Sequence, residues 1–239
     1  MYKDEKPIIG ILCWEEGTAP RGLVQLESFK GNSTNPDSYD FPVIFSHVPG
    51  ANIHTILEQP DIDVMKKMII YGKKMVEEGV SAIVTSCGFN AIFQKELAKS
   101  LTVPVATSSL MQIPFVSTTL SPSQSVAVIT ANKKHLTRAH FRNAGVPDNL
   151  NVLILGMEEC LEWNKIFISP SEDINLDIIR DEVVSVASDA LEKDPSIGAF
   201  VLECTDLPPF SQEIRKRTGL PVFDFITMVR YIVAAMGDY

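Results

Sequence analysis

The sequence predicts an α/β protein of two pseudo-symmetric lobes, each a parallel sheet flanked by helices, with an active site in the inter-lobe cleft. Three observations carry this. First, one passage occurs twice. At a constant offset of 117, Ala82-Ile83-Val84-Thr85-Ser86-Cys87 falls on Ala199-Phe200-Val201-Leu202-Glu203-Cys204. The match runs on through Phe93 on Phe210, Glu96 on Glu213, Lys99 on Lys216 and Pro104-Val105 on Pro221-Val222. Eight of the 24 paired positions from 82 to 105 are identical. Second, short apolar runs alternate with amphipathic segments, the pattern of parallel strands covered by helices on both faces. Third, Cys87 and Cys204 end corresponding strands, and open parallel sheets bind ligands beyond the carboxyl ends of their strands.

Taken in chain order, strands are expected at Ile8–Cys13, Ala82–Thr85, Val103–Thr107, Val126–Thr130, Ala199–Leu202 and Val222–Phe225. Gly10-Ile11-Leu12-Cys13 falls on Ala127-Val128-Ile129-Thr130 at the same offset, so the first strand of each half also corresponds. Between Asp61 and Glu78, the residues Met65, Met68, Ile69, Met75 and Val76 recur on one helical face. Ile178, Ile179, Val183, Val186, Ala187, Ala190 and Leu191 do the same between Asn175 and Lys193. A helix is expected from about Asn90 through Lys99, and a last one from Ile226 to Met236. The lobes are then residues 1–108 and 109–222, with 223–239 returning to pack on the first. Arg21 to Pro49, rich in Gly, Asn, Ser and Pro, is the irregular stretch. It reads either as a loop that covers the cleft or as a surface excursion with an edge hairpin.

Composition narrows the function. The 239 residues are 45% hydrophobic and 21% charged, which suits a globular protein with a full core. A formal charge of −9 and the lack of any lysine or arginine run argue against nucleic-acid binding. The longest apolar stretches are strand-length, which argues against a membrane span. The charged Met1-Tyr2-Lys3-Asp4-Glu5-Lys6 leads straight into a strand, so no signal peptide is read and a cytoplasmic location is expected. Four cysteines without a C-x-x-C pair read as free thiols, and the Asn32-Ser33-Thr34 sequon as coincidence. Histidines 47, 54, 135 and 140 have no metal spacing, and no phosphate-cradling, dinucleotide or nucleophile-elbow motif is present. No cofactor is expected.

Two copies of a unit that each deliver a cysteine imply two thiols related by a pseudo-two-fold axis, facing each other across the cleft. Each ends an apolar strand and precedes a helix start, where amide N–H groups favour a thiolate. A lone cysteine at a strand end is more often a small hydrophobe than a catalyst, but two in register reverse that. Ser86 and Glu203, just before them, differ and read as free to vary. Cys13, opposite Thr130 in the repeat, reads as pocket lining; Cys160 lies outside the repeat and receives no role. Thr85, Ser86, Ser108, Ser109, Thr130, Asn132 and Thr205 form a set of small polar groups at strand ends that suits a small anion. Glu15, Glu16 and Asp206 are nearby carboxylates able to orient a substrate ammonium or a thiol.

Ser86-Cys87-Gly88 and Glu203-Cys204-Thr205-Asp206-Leu207-Pro208-Pro209, on duplicated lobes, resemble the aspartate/glutamate racemase superfamily over nearly the whole chain. That superfamily includes cofactor-independent glutamate, aspartate and hydantoin racemases, maleate isomerase and arylmalonate decarboxylase. Thr107-Ser108-Ser109-Leu110-Met111-Gln112-Ile113-Pro114 is similar to a subgroup without clearly established substrates. The resemblance implies that Cys87 and Cys204 are acid and base, with Thr205 holding a carboxylate. Amino-acid racemases follow the first cysteine with Asn-Thr, whereas this chain has Gly88-Phe89, which implies a less polar pocket and poor activity on glutamate. Asp206 is closer to the Glu of many aspartate racemases than to the His of glutamate racemases.

The expected function is therefore a cofactor-independent racemase or epimerase moving an α-proton between two cysteines, on an amino acid or a related small carbonyl compound. The alternatives are a hydantoin racemase, a diacid isomerase or a decarboxylase of the same superfamily, or a non-catalytic small-molecule-binding protein. The expected partners are a small anionic or carbonyl substrate and further copies of the chain in a homo-oligomer.

Overall fold

The computed structural model describes residues 6–237. The reading of the N-terminus as leader-free falls on residues 1–5, outside the described residues. The first sheet consists of β1 (Ile9–Cys13), β2 (Val43–His47), β3 (Ala82–Thr85) and β4 (Val105–Ala106), in the order β2-β1-β3-β4. The second consists of β5 (Ser125–Thr130), β6 (Val152–Gly156), β7 (Ile197–Leu202) and β8 (Val222–Phe223), in the order β6-β5-β7-β8. Every pairing in both sheets is parallel. The expected α/β fold of two like lobes is what forms.

Nine α-helices connect the described strands. They are α1 (Arg21–Leu26), α2 (Ile62–Glu77), α3 (Gln94–Ser100), α4 (Ile113–Thr119), α5 (Arg138–Asn143), α6 (Leu161–Ile168), α7 (Leu176–Lys193), α8 (Ser211–Thr218) and α9 (Phe225–Ala235). The two long amphipathic segments form as their periodicity requires. Asp61 caps α2 by accepting from the Asp63 N–H at 2.7 Å, and Val64, Met68, Gly72 and Met75 form its buried face. Asn175 caps α7, with Ile179, Val183, Ala187 and Ala190 buried. At α9, Asp224 and Thr227 form a reciprocal capping box, and Phe225, Met228, Val229 and Val233 pack with Ile9, Ile11, Ala82 and Val84 of the first sheet.

The central strands β1, β3, β5 and β7 are buried along their whole length. The edge strands are where the structure departs from expectation. No strand was expected at β2 or β6, both half-buried. The repeat loses register there: β1 and β2 are joined by residues 14–42, β5 and β6 by the shorter residues 131–151. Neither edge hairpin nor bare loop describes residues 21–49, which contain α1 and then β2, a parallel edge strand. Phe225 begins a helix rather than ending β8, because Asp224 caps that helix.

The segment from α1 onward straps the first lobe to the second. Gln25 Oε1 accepts from the Ile174 N–H at 2.7 Å while its Nε2 donates to the Ile174 carbonyl, and Arg21 pairs with Asp173. Further along, Asn32 is fully buried and its Nδ2 donates to Asp206 Oδ1 at 2.8 Å. Gly31, at φ +107°, has its Cα against Pro209, where a β-carbon would lie 3.1 Å from the proline nitrogen.

Candidate active site

One cavity of about 200 Å³ lies at the carboxyl ends of the strands and draws its walls from both lobes. Cys87, following β3, and Cys204, following β7, both line it, as do Cys13, Ser86, Gly88, Phe89, Thr205 and Asp206. The two halves treat their thiols alike. Each sulfur faces the backbone N–H two residues on, Phe89 for Cys87 and Asp206 for Cys204, and each N–H favours the thiolate. Burial outweighs this and pushes both thiols well up, and nearby carboxylates add to it: Glu203 most for Cys87, Asp206 most for Cys204. Two features break the symmetry. The Cys204 thiol approaches Asp206 Oδ2 at 3.6 Å, giving it an acceptor for its proton. Cys87 instead lies by the buried Trp14 indole N–H, which finds no conventional hydrogen-bond partner and favours a thiolate there.

Asp206 is pushed up to about 6 by burial, opposed by the hydrogen bond from Asn32. Glu203 is pushed up to about 8, again by burial. Glu203 Oε2 accepts from the Thr130 hydroxyl at 2.7 Å, while Oε1 is buried without a partner. Cys13 is pushed up to about 12 by burial, against a hydrogen bond from Ser86.

The remaining expected residues divide between pocket and scaffold. Thr205 lines the cavity, but its hydroxyl donates to the Ser86 carbonyl at 2.5 Å, stitching the two lobes together rather than pointing at a ligand. Thr130 and Asn132 do not line the cavity. The first is bonded to Glu203, and the second accepts from the Lys134 N–H at the turn after β5. Thr85 donates to the Thr107 carbonyl within the first sheet. Phe89 is buried edge-on to His140, with ring centroids 5.6 Å apart. Gly88 is the constrained position of this pair: a β-carbon there would overlap the carbonyl oxygen and the carboxylate of Glu203.

Sequence reasoning missed much of the cavity wall: Trp14, Leu23, Glu27, His47, Trp163 and Phe167. Trp14 directly follows β1 and was within reach of the strand-end rule. Glu27 on the strap and the α6 aromatics carry no such mark. The wall holds the carboxylates of Glu15, Glu16, Glu27 and Asp206 but no lysine or arginine. No group of three or more His, Cys, Asp or Glu side chains among the described residues is placed to hold a metal ion, and no described helix is long and apolar enough to cross a membrane.

No family model matches the sequence. The chain is 30% identical over 232 residues to a dimethylsulfoniopropionate lyase of Durusdinium sp. clade D, covering 92% of this chain and 76% of that protein. The chain belongs to the dimethylsulfoniopropionate lyase family. It is 32% identical over 219 residues to dimethylsulfoniopropionate lyase 6 of Emiliania huxleyi, covering 87% of this chain but only 56% of that longer protein. The named members are thus lyases rather than isomerases. In solved structures the fold of this lyase-family chain recurs in an arylmalonate decarboxylase variant (TM-score 0.61, 15% identity, covering 98% and 95% of the two chains). It recurs also in allantoin racemase from Pseudomonas fluorescens (TM-score 0.60, 16% identity, 95% and 90%). The aspartate racemase of Picrophilus torridus has it too (TM-score 0.58, 14% identity, 96% and 92%). The expected resemblance to the aspartate/glutamate racemase superfamily holds at the level of fold.

Proposed function

We propose that this protein is a cofactor-independent lyase that removes the α-proton of dimethylsulfoniopropionate or a close relative and expels the β-sulfonium group. The observation that carries the reading is a strand-end thiol, Cys204, with a carboxylate acceptor for its proton at 3.6 Å, in a chain of this lyase family. The Cys204 proton passes to Asp206, and the thiolate takes a hydrogen from the carbon next to the carboxylate. The electrons of that C–H bond form the C=C bond, and the C–S bond breaks with its pair going to sulfur. Acrylate and neutral dimethyl sulfide leave, Cys204 is again a thiol, and Asp206 returns its proton to water.

Racemisation and this elimination begin with the same step, which is why one fold serves both. They part afterwards. A racemase needs an acid on the opposite face, whereas a sulfonium leaves as a neutral molecule and needs no proton. The electrostatics of the site favour a cationic substrate. Burial and the acidic side chains of Glu203 and Asp206 raise the pKa of both thiols and keep them protonated. A positive charge beside them offsets those carboxylates and brings the thiolate within reach.

Replacing Cys204 with Ala should lower dimethyl sulfide release by about 10²–10⁴-fold, the usual worth of a positioned base. Cys87→Ala should cost much less, because no second proton transfer is required. Headspace detection of dimethyl sulfide reads both. Loss of release in Cys87→Ala with retention in Cys204→Ala would reverse the assignment of the base. No release by the wild-type protein from dimethylsulfoniopropionate would overturn the lyase reading.

The second reading is a two-base racemase or epimerase, supported by the in-register Cys87 and its matching amide donor. It requires α-hydrogen exchange from amino acids or hydantoins in deuterated water, abolition of net inversion in either cysteine variant, and opposite enantiomer preferences in the two.

A further inference from the structure

The cavity wall contains a carboxylate, that of Glu27, which no lysine or arginine among the described residues pairs with. Glu27 is the residue that ends α1 on the strap, about half-buried, and its side chain lines the cavity. Burial raises its pKa, against a hydrogen bond from Thr34. It forms no ion pair among the described residues, and the cavity wall supplies neither lysine nor arginine, only His47. An acidic group at the carboxyl end of a helix also meets the negative end of the helix dipole, so helix stability does not explain it. Buried charges are ordinarily paired, whereas this half-buried one has, among the described residues, only the Thr34 hydroxyl and the imidazole of His47, outside ion-pair contact, to favour its charged form. The same cavity wall carries Trp14, Phe89, Trp163 and Phe167. Aromatic faces attract cations of the soft, poorly hydrated kind.

We propose that Glu27 is the counter-charge for the onium head of the substrate, and that this subsite accepts trialkylammonium carboxylates as well as dialkylsulfonium ones. The inference rests on the lyase reading for its substrate, but not for its test. An ammonium with the same shape carries the charge and cannot be expelled as readily as a sulfide, so it occupies the site without turning over. Glu27 is then a specificity residue: it fixes which end of the molecule faces the strap and leaves the carboxylate end toward the thiols.

The probes are 3-(trimethylammonio)propionate and the carbon isostere whose tert-butyl head is uncharged, 4,4-dimethylpentanoate, titrated calorimetrically into the wild-type chain. Wild type should bind the ammonium compound at least about tenfold more tightly, the order expected of one partly buried charge pair. Glu27→Gln, which keeps shape and the Thr34 contact, should bring the two affinities together, and Glu27→Asp should retain a preference for the cation. Preference for the ammonium surviving in Glu27→Gln, no preference in wild type, or no binding of either compound would each overturn the proposal. Dimethyl sulfide release is measured in parallel. A wild-type chain that discriminates through Glu27 yet releases no sulfide would refute the lyase reading alone. Active lyase with Glu27-independent discrimination would refute this inference alone.

Discussion

At residue 88 the space a side chain would occupy already belongs to Glu203, whose carbonyl and carboxylate lie against the glycine Cα. The sequence comparison read Gly88-Phe89 as a polar pair lost from the pocket. The structure adds a steric reason at 88, where a side chain is excluded because an acid from the second lobe fills its place, while Phe89 lines the cavity and packs edge-on against His140. Restoring a polar pair by Gly88→Asn with Phe89→Thr should therefore not create activity on acidic amino acids. Gly88→Ala alone should destabilise the fold by about 1–3 kcal/mol or more, since backbone must move to admit the methyl group. Thermal unfolding of Gly88→Ala, with its midpoint well below wild type, checks this. An unchanged midpoint would mean that the contact relaxes freely.

Among the elements, the strap from α1 to β2 contributes most to the site and showed least in the sequence. Its polarity and its glycines read as a loop, yet it supplies Glu27, Thr34 and His47 to the cavity wall. It also sets the charge state of the proposed proton acceptor, because Asn32 donates to Asp206 and holds its pKa down against burial. Asn32→Ala removes a donor to the charged form, so the Asp206 pKa should rise above about 6. The acid limb of the activity profile should then move to higher pH, with the alkaline limb unmoved. Measuring release rates across pH 4.5 to 9 reads the shift. An acid limb that stays put or moves down would detach Asp206 from the proton path.

For the whole molecule, two buried groups give stability opposite pH dependences. His140 is pushed down to about 4 by burial, so the unfolded chain binds its proton more readily and stability is lost as pH falls from about 6.5 toward 4. Glu203 is raised from 4.5 to about 8, so the folded chain holds its proton more tightly. Its contribution is complete below about 4.5 and is lost as pH rises through 8. Above pH 6.5 the contribution of Glu203 still changes with pH while that of His140 no longer does. The unfolding midpoint of wild type should thus fall relative to Glu203→Gln between pH 6.5 and 8.5. Since about 1 kcal/mol moves the midpoint of a chain this size by roughly 2–4 °C, differential scanning calorimetry resolves the divergence. Parallel curves for the two proteins over that range would place a charged Glu203 in the folded state.

The sequence by itself determined the two-lobed parallel fold, the equivalence of Cys87 and Cys204, and their position at strand ends. All three depend on local periodicity and on a repeat that keeps its register through the central strands. Register fails at β2 and β6 because the connections preceding them differ in length, and so these two edge strands and the strap were not legible. The surroundings of the two thiols were decided only in three dimensions. Residues distant in sequence meet there: Asn32 with Asp206, Thr130 with Glu203, Glu203 with Gly88, and Trp14 with Cys87. Proton affinity depends on burial and on such neighbours rather than on residue type. The same two cysteines that suggest a racemase therefore stand, in this cavity, within an acidic and aromatic wall suited to a cation.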